Sequence, residues 1–225
     1  MPTLFAAWLR TEGPRWAYLR IWSHALIGAI GLTAATGTAC SALGMALPEI
    51  FAENAAHELL QSLVLGSAVV AGVVALILCS GLTRFAALVT GLISYIGFFR
   101  EMPSCRGDVL IFCADSATRG SLMAAGALCL AVAAVFFELR ARGTIMKAIH
   151  PRLSWPLALA AGLVGVSQIS EDLHLVALEE VLELYSYLVL MLITCSLGLQ
   201  PSSFPGVSMD SPHQLPRDHA ARPHS

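Results

Sequence analysis

Residues 59–82 read LLQSLVLGSAVVAGVVALILCSGL, a run without one charged side chain. The hydrocarbon core of a bilayer, about 30 Å thick, is crossed by roughly 20 helical residues, so this stretch spans a membrane by itself. Comparable apolar runs stand at 21–47, 85–99, 120–138, 153–170 and 182–199, with Glu138 and Glu183 the only charged residues in them. Composition points the same way. The 225 residues are 56% hydrophobic and only 12% charged, with a mean hydropathy of +0.72, which leaves too little polar surface for a water-soluble globule. The expected fold class is all-α, a polytopic bundle of about six transmembrane helices over 21–199. A segment 1–20 precedes it, and a tail 200–225 follows. The 85–99 run is short for a full crossing. Pro156 is expected in the first turn of the fifth helix, where a missing N–H costs little.

Arg10, Arg15 and Arg20 ahead of the 21–47 run imitate a secretory signal. That run is about twice the roughly 7–15 residues of a signal's apolar region, and its small residues are not gathered at a cleavage site. It reads as a retained first span. The polar joints between spans alternate in sign. With the N-terminus inside, Arg10, Arg15, Arg20, Arg84, Arg140, Arg142, Lys147, Arg152, Arg217 and Arg222 fall on the cytoplasmic side, against Arg100, Arg106 and Arg119 outside. This asymmetry is the positive-inside pattern. It implies a bacterial inner-membrane protein with both termini cytoplasmic. The formal net charge of −2 and the absence of a basic stripe exclude a nucleic-acid partner. The lipid bilayer is the expected partner, together with other membrane subunits or further copies of the chain.

The tail from Pro201 repeats proline among Ser, His and Asp, a composition that buries too little to offset chain entropy, so disorder is expected there. Small residues mark helix packing: Gly28, Gly31, Gly37 and Gly44 in the first span, and Gly66, Ala68, Ala71, Gly72 and Ala75 in the second. Of six cysteines, Cys40, Cys79, Cys129 and Cys195 lie in apolar runs as small hydrophobes. Cys105 and Cys113 share an outer connection, where an oxidising compartment favours a disulfide between them. Neither belongs to a Cys-x-x-Cys pair, unlike the quinone-linked oxidases that regenerate periplasmic disulfides.

The acids partition opposite to the cations, with eleven of the fifteen outside, and carboxylates barely influence insertion. Their clustering therefore needs a chemical reason. Glu53, His57 and Gln61 stack at helical spacing into the second span. Arg100 and Glu101 abut the wholly apolar run before them, where either charge alone would cost roughly 2.5–3.5 kcal/mol. The fifth span ends in Glu171, Asp172 and His174. Glu180, Glu183 and Tyr187 share one face of the sixth, while Glu179 and Glu180 also suit a helix's first turn.

Together these residues allow three readings. In a structural or interaction protein, Arg100, Asp172 and Glu180 take part in an ion-pair network. In a metal-dependent hydrolase of a lipid-like substrate at the outer leaflet, His57, His174 and Glu53 hold Zn²⁺ or another divalent ion. Glu183 or Glu101 then acts as catalytic base, and Arg100 holds an anionic group. In a proton-coupled transporter or ion relay, Glu183, Asp172 and Gln61 titrate in a water-filled cavity.

The strings Phe98-Phe99-Arg100-Glu101-Met102 and Glu179-Glu180-Val181-Leu182-Glu183-Leu184, with the Glu53–Glu58 cluster, resemble a group of small uncharacterised bacterial multi-pass inner-membrane proteins. Those bear an REMD-like motif after one helix and an EExLEL motif opening the last. The likeness covers residues 50–200, and Pro103 stands where that pattern has Asp. It implies the topology and the choice of Arg100, Glu101, Glu180 and Glu183, and brings no activity. The chain lacks the His-x-x-x-His pair of the ceramidase-like membrane hydrolases.

Overall fold

A computed structural model describes residues 19–51, 55–103, 105 and 113–199. The fold is all-α. Six helices are long and apolar enough to cross a membrane: α1 (Leu19–Ala42), α3 (Ala56–Leu78), α4 (Gly81–Arg100), α5 (Ser116–Arg140), α7 (Pro151–Asp172) and α8 (Val176–Leu199). Short helices α2 (Leu47–Ile50) and α6 (Thr144–Ala148) lie in the joints. The expected disorder of the tail concerns residues outside the described ones, as does the segment 1–18.

Helix boundaries depart from the apolar runs where a side chain supplies the missing compensation. The 85–99 run is no short or re-entrant piece but the middle of a 20-residue helix. Arg84 lies inside its first turn, and its Nε folds back to donate to the Cys79 carbonyl at 2.8 Å, which keeps the cation at the membrane edge. The first run stops early, at Ala42, because Gly44 takes a left-handed turn with φ 87. Helix α7 starts at Pro151, so Pro156 falls in its second turn rather than its first.

The last helix is the hub. Helix α8 packs against α1, α3, α4 and α7, while α5 leans chiefly on α4. Of the six spans α8 is the most buried and α5 the least. Gln61 meets Glu180 and Ala75 meets Gly198, so α3 and α8 run parallel. Neighbours in sequence run antiparallel, as Gly72 against Gly91, Phe85 against Phe137, and Ser167 against Glu183 show. This alternation carries Arg20, Arg84, Arg140, Arg142 and Lys147 to one end of the bundle. Glu49, Glu58, Glu101, Asp115, Glu171, Asp172, Glu179, Glu180 and Glu183 fall at the other.

Small residues set the closest approaches, though not all those expected. A Cβ on Gly72 would stand 2.8 Å from the Gly91 Cα, a backbone atom that cannot swing away, and Gly28 lies against Leu188. Gly31 and Gly37 have nothing within 4 Å of a Cβ. Among the described residues nothing packs against them. Gly72→Val is therefore expected to lower stability by about 1–3 kcal/mol, with Gly31→Val close to neutral, in thermal melts of the purified protein.

Candidate functional site

At the acidic end, α8 turns Glu180, Glu183 and Tyr187 inward along the face that their three- and four-residue spacing defines. Each meets a partner from another helix. Glu180 Oε2 accepts the His57 Nδ1 hydrogen at 3.0 Å and the Gln61 Nε2 hydrogen at 2.8 Å. Gln61 Nε2 also reaches the Glu180 carbonyl oxygen at 3.2 Å. Thr33 of α1 closes the other side, with its Oγ1 3.3 Å from His57 Nε2. Phe51 covers the imidazole, ring to ring at 5.2 Å. His57 is 1% exposed, and both of its ring nitrogens are engaged.

One helical turn deeper, Arg100 Nη2 donates to Glu183 Oε1 at 2.6 Å, and Ser167 Oγ of α7 stands 3.1 Å from the same oxygen. Arg100 Nε lies 3.4 Å from Glu101 Oε1, which also accepts the Tyr187 hydroxyl at 2.7 Å. Ser62 Oγ donates to the Glu101 carbonyl oxygen at 2.9 Å. Glu101 and Glu183 are buried, whereas the Arg100 side chain is 37% exposed and opens the cluster toward its own end of the bundle. Five helices thus contribute to two adjoining groups, one around Glu180 and His57 and one around Arg100, Glu101 and Glu183.

The charges in these groups do not balance as drawn. Among the described residues Glu101, Glu180 and Glu183 set three carboxylates against one guanidinium, an excess of negative charge whose burial needs an offset. Glu101, one residue beyond the end of α4, answers to that need. Burial pushes its carboxyl up to about 7, the Glu183 charge adds to the rise, and the Tyr187 hydrogen bond and Arg100 oppose it. Gln61 adds an uncompensated polar atom, since its buried Oε1 meets no donor among the described residues.

The expected site residues separate into three groups. His57, Arg100, Glu101, Glu180 and Glu183 come together. His174 does not join them, because it lies exposed in the turn between α7 and α8 with a left-handed φ of 59. Asp172 is the last residue of α7, and Glu53 lies outside the described residues. Among the described residues no three His, Cys, Asp or Glu side chains are grouped to hold a metal ion, and His57 has no ring nitrogen to spare for one. Cys105 and Cys113 are joined by a disulfide, with S–S 2.05 Å. The pair follows directly on Glu101, Met102 and Pro103, all buried.

Thr33, Ser62 and Ser167 were not singled out by the sequence. Each is one of two or more hydroxyls in its helix, and such residues commonly bond their own backbone, so nothing in the spacing marks these three as partners of the cluster. Tyr187 carried a usable signal, its place on the Glu180 and Glu183 face.

No known protein family, curated protein or solved structure matches the chain.

Proposed function

We propose that this is a proton-binding membrane subunit, in which the cluster at the acidic end exchanges protons with the compartment it faces and couples their charge to the packing of α8. The observation that carries this reading is the gathering of Glu101, Glu180 and Glu183 in two adjoining groups that hold, among the described residues, a single guanidinium, Arg100. Ionisable groups at membrane depth are costly to keep, and proton handling is a common reason for keeping them. Loss of a proton adds negative charge to groups that tie α8 to α1, α3, α4 and α7, so the protonation state bears on how tightly those helices hold together.

The segregation of charge supports a bacterial inner-membrane setting with the basic end cytoplasmic and the acidic end outside. The disulfide beside the cluster fits that orientation, since such bonds persist in oxidising compartments. Kinship with the small multi-pass proteins that bear REMD-like and EExLEL motifs also fits, because those two strings supply Arg100, Glu101, Glu180 and Glu183.

Infrared difference spectra of the protein in lipid nanodiscs, between about pH 5 and about pH 8, test the reading. A protonated carboxyl band that disappears with a midpoint near neutrality, and is missing in Glu101→Gln, is expected. A carboxyl titration confined to the ordinary acid range would refute it.

A further inference from the structure

The joint between α5 and α7, at the basic end, is folded in a particular way. Glu138, the one acid among the described residues at that end, turns both carboxylate oxygens onto backbone: Oε1 accepts the Gly143 N–H at 2.6 Å and Oε2 the Ile145 N–H at 2.9 Å. Gly143 takes φ 82, which a side chain would resist, and the buried Thr144 donates its hydroxyl to the Ala141 carbonyl at 2.6 Å. The acid is thereby occupied in building the turn.

What the turn presents outward is cationic and apolar together. Arg140, Arg142 and Lys147 are exposed, and no ion pair engages them among the described residues. Beside them Met146 is 52% and Ile149 51% exposed. The stacking of Phe85 on Phe137, ring centroids 5.1 Å apart, brings Arg84 in the first turn of α4 to the same end. Insertion bias accounts for cations here. It does not account for two half-exposed apolar side chains between them, nor for an acid turned inward to hold their turn.

We propose that this joint is a seat for anionic phospholipid headgroups, with Arg140, Arg142 and Lys147 meeting phosphate oxygens while Met146 and Ile149 enter the acyl region. The charge complementarity is direct, because a membrane leaflet rich in anionic lipid offers phosphates at the depth where a transmembrane helix ends. The arrangement also matches how interfacial segments bind, with apolar side chains down and cations level with the headgroups. Guanidinium groups suit phosphate because they present paired donors in a plane.

The test uses the full chain in phosphatidylcholine nanodiscs doped with spin-labelled phosphatidylglycerol or, separately, spin-labelled phosphatidylcholine. The motionally restricted fraction of each label reports its contact with the protein. A preference for phosphatidylglycerol of about tenfold is expected, falling to near parity in the triple variant Arg140→Gln, Arg142→Gln, Lys147→Gln. The preference of the unaltered chain should also collapse at high ionic strength, an arm that needs no variant to fold. Equal restriction of the two labels, or a preference that survives both the triple variant and salt, overturns the proposal. So does self-association through the joint, seen as a dimer that the triple variant abolishes while both labels bind alike.

Discussion

Arg100→Leu is expected to destabilise the protein by about 3 kcal/mol, because both of its carboxylate partners are buried. The guanidinium holds two carboxylates at once, Glu183 at 2.6 Å and Glu101 at 3.4 Å. Both acids are buried, and removing their shared cation leaves them facing each other with only hydroxyls for company. The cost lies in stranding the Glu183 charge beside Glu101 rather than in losing a favourable pair, and a second substitution separates the two. Arg100→Leu combined with Glu183→Leu should recover much of the loss, because an apolar replacement of both partners removes the unpaired charge as well. Thermal melts of the purified protein, followed by tryptophan fluorescence, check both. A double variant no more stable than Arg100→Leu alone would sink the argument. His174→Ala, at an exposed position outside both groups, should lie within about 0.5 kcal/mol of the unaltered chain.

The second large effect is on pH dependence. With the Glu101 carboxyl raised to about 7 from its ordinary 4.5, the folded protein holds a proton that the unfolded chain releases at lower pH. Its contribution to stability is fully present below about pH 4.5, declines as pH rises, and is gone above about pH 7. The size of the decline is on the order of 3 kcal/mol. The direction is opposite to that of an acid held in its ionised form by a salt bridge, which loses stability on acidification. Melting temperatures measured across that window should fall with rising pH, and Glu101→Gln, neutral at every pH, should flatten the slope. A melting temperature that climbs through the same window in the unaltered protein would rule out a proton held at Glu101.

The six spans were legible in the sequence because hydropathy and length alone decide whether a helix crosses a membrane. So was half of the site. Spacing placed His57 with Gln61, and Glu180 with Glu183 and Tyr187, on shared helix faces. Spacing within a helix says nothing of how neighbouring helices are rotated. Thr33 and Ser167 as partners, and His174 as an outsider, therefore emerge only from the assembled bundle. The peripheral place of α5 was hidden for a different reason. Leu128, Val132 and Phe136 are exposed on it, yet lipid and protein interior ask for the same residues, so no pattern distinguishes a helix facing one from a helix facing the other. Helix α4 was misjudged in length because a cation in a first turn reads as a boundary until its side chain is seen folding back.

The hub of the bundle, α8, follows the other five spans in the chain. Without α8, α1 lacks its main neighbour, His57, Gln61 and Ser167 lack the carboxylates they meet, and Arg100 keeps only Glu101. The first five spans by themselves therefore leave polar side chains of α3, α4 and α7 without their α8 partners. A chain cut before residue 176 would hold Arg100 on Glu101 alone and leave His57 without Glu180, so it is α8 that completes both groups.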